Sequence, residues 1–468
     1  MEEPDAPSVR DVTLMSDLHA PSRVIRAACL LAFLLLLRAG SVGAQTASTL
    51  FDDRVLHTLQ IAIHSRDWDR LRSTYLENDY YPADLTWNGI RVTNVGVRSR
   101  GRTSRSGVKP GLEIDFAHYS TGGQFLGLQA LVLDNMLLDK SMIRERVAMA
   151  FLRRFGVPAP RESFATLFIN GQYAGLYAMV EEVDSGFAQR ALGDANGALF
   201  EYRWLRPYYG EYLGDDLDLY RPLFEPRARE YDSVFNLYDP IRELFRAIND
   251  TPAGSFRDAV GLRLDLAAML RLVAADVLLA EADGIVSFAG MNNFYLHRHS
   301  TTQRHQFLPW DKDFALFQWN YQITDGTSQH ALIRRALEDP ELRSLYAGFL
   351  VEAVESATDA GWLEQEVQRA YEQIREAVLA DPVKPYTNEE FEAEVAVVID
   401  LARRRPAFVL SEVQRLFGGR ESRTLRAQAD PPRQVEGESR GRRPPLPQCR
   451  RCESRTTIDA PVQFEARQ

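Results

Sequence analysis

The sequence predicts an α+β protein, with an antiparallel-sheet N-terminal part and a mainly helical C-terminal part. Three observations carry that expectation. The pairs Asn88-Gly89 and Asn170-Gly171 each sit between runs of strand-forming residues, the strongest short-range hairpin signal. Residues 264–281 are apolar nearly all round, as a core helix is. Residues 330–417 read as largely helical, with an acidic stretch at 388–394.

The elements follow in order. Leu59, Ile61 and Ile63 alternate with polar residues and predict a strand. Asp67-Trp68-Asp69 opens a helix to about Tyr75. Residues 85–92 read as the first hairpin, and Val95 and Val97 carry the alternation into the glycine- and hydroxyl-rich turn 98–105. Residues 109–116 are the next strand. Over 141–155, Ile143, Val147, Ala150, Phe151 and Leu152 share one face of a helix that Gly156 and Pro158 stop. The second hairpin joins 164–169 to 173–180. Residues 50–200 therefore read as a mainly antiparallel sheet with one or two helices on it. Residues 205–260 carry no clear period, and no internal repeat is present.

A chain of 468 residues, 45% hydrophobic and 26% charged, has globular proportions. Its net charge of −10 implies no basic face and argues against nucleic acid as a partner. Arg23 and Arg26 precede the apolar run 27–37, and Ser41-Val42-Gly43-Ala44 fits a small-residue cleavage site, so residues 1–44 read as an export signal, with Met1 or Met15 as its start. The run is too short for a comfortable membrane span, so no stable span is expected after cleavage. The expected organisation is a folded body over 45–417, with lobes at about 50–200 and 201–417. A disordered Arg- and Pro-rich tail over 418–468 follows, with little to bury. Of the three cysteines, Cys29 lies in the signal and Cys449 and Cys452 in the tail. An exported body without cysteines must be held by its core.

The chemistry concentrates between Asp283 and Asp313. Asp283 follows the core helix, Asn292 and Asn293 precede the strand 294–297, and Trp310-Asp311-Lys312-Asp313 ends the returning strand. An acid, an amide and two further acids around a hairpin are what phosphoryl transfer uses: one acid orients the hydroxyl, and the amide and a second acid hold metal ions. Asp311 and Asp313, two apart on a strand, point the same way and suit one cation or two. The plainer alternatives are an Asp-Gly turn at Asp283 and a solvated acidic turn at Asp311. A bare Asp-x-Asp reading would instead fit a hydrolase or a sugar transferase. Lys109 and Arg100 are the candidate cations for nucleotide phosphates, and Glu181 is a candidate partner for Lys109.

These residues resemble the CotH kinase family, the spore-coat-protein-H-like atypical protein kinases. The matching pieces are Phe51–Thr58, Asn94–Gly101 with Ser104-Arg105, Lys109-Pro110, Leu133-Asp134-Asn135, Asp139-Lys140-Ser141, Phe155–Pro160, Asn170–Tyr177 with Glu181, Asn293–Leu296 and Pro309–Asp313. They cover about 50–415 in order. The resemblance implies a two-lobed, protein-kinase-like fold and metal-dependent transfer of the ATP γ-phosphate to Ser or Thr of a protein substrate. It implies that Lys109 holds the nucleotide phosphates, that Asp283 orients the substrate hydroxyl, and that Asn293 and Asp311 hold Mg²⁺ or Mn²⁺. Arg100 and Glu181 would be supports, and Asp313 a further metal residue. Glu113 and Glu201 depart from the family pattern, where basic residues are common. The expected protein is a secreted or periplasmic kinase acting on a secreted or envelope protein. The competing reading is a silent binding or adhesion module on the same fold.

Overall fold

Seven strands close into a barrel: β1 (Leu56–Ile63), β2 (Tyr81–Trp87), β3 (Ile90–Arg100), β4 (Gly111–Asp115), β5 (Ala130–Asp134), β6 (Glu162–Ile169) and β7 (Gln172–Glu181), in the spatial order β1-β2-β3-β4-β5-β7-β6. This computed structural model describes residues 45–418. The expected export signal, the tail beyond 418 and all three cysteines lie outside the described residues. The two Asn-Gly turns form as their sequences predict. Asn88 and Gly89 have φ of 46° and 78°, Asn170 and Gly171 of 51° and 79°, the left-handed pairs a tight hairpin needs. β1 alternates buried and exposed as its sequence does, and Leu59, Ile61 and Ile63 join the barrel core with Leu85, Trp87 and Val97.

The expected sheet of residues 50–200 is thus a closed barrel. β1 pairs in parallel with β6, Leu56 opposite Phe164, and that pairing leaves no exposed edge. A further strand at the end of this region, β8 (Ala198–Tyr202), which the sequence reading does not single out, belongs to a second, four-stranded antiparallel sheet. Its order is β11-β10-β8-β9, with β9 (Phe224–Ala228), β10 (Phe294–Arg298) and β11 (His305–Pro309).

The short helices α1 (Ala47–Leu50) and α2 (Ser65–Ser73) flank β1. Helix α3 (Arg144–Arg154) joins the barrel wall to the C-terminal part, because Val147, Phe151 and Leu152 share one core with Phe164 and Leu176 of the barrel and with the later helices. After α4 (Ser185–Leu192) come α5 (Val234–Asp250), α6 (Phe256–Gly261), α7 (Leu266–Leu278), α8 (Ala331–Glu338), α9 (Pro340–Thr358), α10 (Trp362–Leu379) and α11 (Asn388–Phe417). The apolar helix read at 264–281 is α7, buried along nearly its whole length. Among the described residues no helix is long and apolar enough to cross a membrane.

Candidate active site

A cleft of about 370 Å³ opens between the barrel and the four-stranded sheet. That is within the size range of small-ligand sites. One wall is acidic: Asp134 at the end of β5, Glu145 on α3, and Asp311 and Asp313 past the end of β11, with Asn292 and Asn293 beside them. The other carries Arg98 and Arg100 of β3, the turn 101–105, and Arg227 of β9.

The acidic wall is assembled by two local devices. The chain leaving α7 runs beside the chain leaving β11: Leu316 N–H donates to Leu279 C=O at 2.6 Å, and Ala282 N–H to Phe314 C=O at 3.4 Å. That short ladder brings Asp283 to Asp311 and Asp313. At the base of the hairpin, Trp310 N–H donates to Asn293 C=O at 3.1 Å, and both Asn293 and Asp311 hold left-handed backbone, with φ of 54° and 49°. Such conformations cost energy outside glycine and cluster where function requires them. Asp311 and Asp313 therefore do not lie on a strand as the sequence suggests, but both still face the cleft, and Lys312 between them turns inward to Asp276 at 3.4 Å.

Asp283 is held by its amides. Asn292 Nδ2 and Asn293 Nδ2 donate to its Oδ2 at 2.9 and 3.2 Å, and among the described residues its Oδ1 has no protein donor. A hydroxyl brought to Oδ1 would find an oriented acceptor. Asn293 spends its NH₂ on Asp283, and among the described residues its Oδ1 accepts no hydrogen bond. Burial raises the Asp283 carboxyl above the usual carboxylate range, with the two amide bonds and Lys312 opposing.

The acids of this wall lack cations. Among the described residues no Lys or Arg pairs with Asp134, Glu145, Asp311 or Asp313. Burial, then Asp134 and Asp283, push Asp311 up to about 6. Burial, then Asp311, hold Asp313 well above its ordinary range. Behind them, burial pushes Glu162 up to about 8, and among the described residues neither of its carboxyl oxygens meets a donor. Like charges that cannot all ionise call for a positive group. Asp134, Asp311, Asp313 and the oxygen of Asn293 fit a hard divalent cation by donor type. No three His, Cys, Asp or Glu side chains among the described residues converge into a ready-made cage.

Arg98, Arg100 and Arg227, by contrast, are already paired. Glu113 accepts from Arg98 at 2.5 Å and from Tyr80 at 2.5 Å, and lies 3.3 Å from Arg100. Arg100 also meets Glu182 at 3.5 Å and lies over the Trp310 ring at 5.0 Å. Arg227 donates to Glu201 at 2.8 Å. Glu113 and Glu201, the two departures from the family pattern, are thus the counter-charges of the basic wall.

Two expected site residues lie elsewhere. Lys109 does not reach the cleft: its Nζ donates to Asp381 at 2.9 Å, with both side chains fully buried. Asp381 comes from the turn between α10 and α11 and also accepts from Leu176 N–H at 3.0 Å. Glu181 does not pair with Lys109 but with Arg161 and Arg190, at 2.7 and 2.5 Å. Its neighbour Glu182 faces Arg100 instead, since successive side chains alternate in direction along extended chain. Asp134 and Glu145 are site residues that the reading of the residues did not single out, although Leu133-Asp134-Asn135 carries part of the resemblance.

The site is braced from behind by Arg405 of α11, which is fully buried. Its guanidinium donates to the C=O groups of Val277 at 2.5 Å, Leu278 at 3.3 Å, Trp319 at 3.2 Å and Tyr321. It therefore ties the end of α7, just before Asp283, to the chain that follows Asp313.

Comparison with known proteins places the chain. The family described as CotH kinase protein matches residues 97–409. The chain is 26% identical over 371 residues to the inner spore coat protein H of Bacillus subtilis (strain 168), covering 75% of this chain and 95% of that protein. Among solved structures, the Helicobacter pylori proinflammatory kinase CtkA aligns over 66% of this chain and 95% of its own at 10% identity, with a TM-score of 0.28, a likeness too slight to bear on the fold. The chain belongs to the CotH kinase protein family.

Proposed function

We propose that the protein is an exported, metal-dependent kinase that transfers the γ-phosphate of ATP to Ser or Thr of a secreted or envelope protein. The observation that carries this reading is the acidic wall, whose carboxylates lack cations and stand beside an oriented Asp283. Asp283 Oδ1 receives the acceptor hydroxyl. As the new O–P bond forms and the bond to the β-phosphate breaks, Asp283 takes the hydroxyl proton and ADP leaves. Asn292 and Asn293 keep that carboxylate aimed. Arg100, steadied by Glu113, Glu182 and Trp310, faces the phosphates from the opposite wall. Asn293, Asp311 and Asp313 would hold Mg²⁺ or Mn²⁺, which supplies charge neutralisation of the phosphate oxygens.

The test uses γ-labelled ATP with Mg²⁺ or Mn²⁺, comparing the protein with its Asp311→Asn variant. Label should enter the protein or a Ser-rich acceptor, and the variant should lose about 10²–10³-fold in transfer with its fold retained. Equal transfer by the variant would refute the proposal. The binding-module reading has one observation in its favour: Lys109, the lysine the resemblance assigns to the phosphates, is fully engaged by Asp381. That reading expects no ATP turnover from the unmodified protein.

A further inference from the structure

One rim of the cleft is built from two segments tied together beside Asp283. Trp204 Nε1 donates to Ala289 C=O at 3.0 Å, and the Tyr209 hydroxyl to Phe288 C=O at 2.6 Å. The segment after β8 is thereby joined to the loop that follows Asp283. The rim leaves Leu205 and Phe288 51% and 63% exposed. It is also positively charged. Arg206 is exposed, and Arg102 lies over the Trp204 ring at 5.7 Å. Neither has an acidic partner among the described residues, whereas Arg203 is taken by Glu225 at 2.5 Å. Glu211 accepts from Tyr209 N–H at 2.8 Å.

Tyr202 adds an independent sign of a ligand. It lines the cleft, is only 5% exposed and stacks on Phe294 at 4.5 Å, next to Asn293. Among the described residues its hydroxyl has no hydrogen-bond partner, and buried hydroxyls rarely go without one.

We infer that the acceptor protein presents an acidic side chain close to its target Ser or Thr, held by Arg102, Arg206 and the Tyr202 hydroxyl, with an apolar neighbour against Leu205 and Phe288. The inference rests on the kinase reading. Nucleotide phosphates share the anionic chemistry, but they belong deeper, by Arg100 and the Asp311 wall, and Arg206 stands outside the cleft lining.

The test uses the full chain and fluorescent Ser peptides that differ only in having acidic, neutral or basic flanks. Peptide binding is read by anisotropy, and transfer with ATP and Mg²⁺ or Mn²⁺ is read separately. The acidic peptide should bind about tenfold tighter than the neutral one, with a preference that weakens in salt. Arg206→Glu should abolish that preference and Arg206→Lys should keep most of it. Equal binding of all peptides, tighter binding of the basic one, or a preference unmoved by Arg206→Glu overturns the inference. So does a change in the ATP KM with peptide binding intact, which would assign Arg206 to the nucleotide. Acid-selective binding with no transfer to any peptide would uphold the rim and sink the kinase reading alone.

Discussion

Lys109 with Asp381, and Asp311 with Asp313, are two charged pairs withdrawn from water, and they are opposite in kind. The first is closed: one positive and one negative group at 2.9 Å, with Leu176 N–H sharing the same Asp381 oxygen and Val383 and Lys384 N–H donating to the other. The second is open: two acid side chains stand side by side, each raised by burial and by the other acids, with no Lys or Arg partner among the described residues. A fold gains from the first arrangement only by keeping both partners, and it gains nothing from the second. The difference separates charge that holds the barrel to the helices from charge that awaits a ligand.

Breaking the closed pair should have the largest effect on stability. Lys109→Met leaves Asp381 buried and uncompensated and should cost about 3–5 kcal/mol in urea unfolding. Pairing it with Asp381→Leu should recover much of the loss. If Lys109→Met left stability unchanged and weakened ATP binding instead, the lysine would belong to the nucleotide after all.

Arg405 sharpens the comparison, since it braces the open site from outside. Arg405→Lys cannot reach four carbonyls with one ammonium. The stranded acceptors should cost about 1–3 kcal/mol, and kcat should fall more than the ATP KM rises. An unaltered kcat in a folded variant would remove Arg405 from the account of the site.

The smallest effect concerns Glu162, which sits behind the open pair. Its carboxyl is raised from 4.5 to about 8 in the folded state. Between those values the folded protein keeps a proton that the unfolded chain has lost, so this group makes stability fall as pH rises through the window. Glu162→Gln should flatten that fall and raise the melting temperature at pH 8 by a few degrees. A variant less stable than the parent at pH 8 would mean that the charged carboxylate has a partner after all.

What was legible in the sequence was local. Both Asn-Gly hairpins, α7 and the hairpin of β10 and β11 were readable because each is set by residues a few positions apart. The acid–amide–acid order from Asp283 to Asp313 was readable for the same reason, and the structure brings Asp283, Asn293, Asp311 and Asp313 together. Lys109 was misplaced because its partner lies 272 residues away, beyond any local pattern. Glu181 meets Arg161 and Arg190 while its neighbour Glu182 faces Arg100, because a one-residue step reverses the face, and composition does not record it. The closed barrel was hidden because β1 meets β6 across roughly a hundred residues and in parallel. Asp134 and Glu145 went unseen as site residues because only the closing of the barrel beside α3 carries them to the cleft.

The most direct test of the open pair is a Mn²⁺ titration with ATP present, followed by electron paramagnetic resonance, on the protein and on Asp311→Asn. The account predicts saturable Mn²⁺ binding by the parent that requires ATP for full affinity and weakens at least about tenfold in the variant. Equal binding by both proteins, or none by the parent, would contradict it and leave the acidic wall without a ligand.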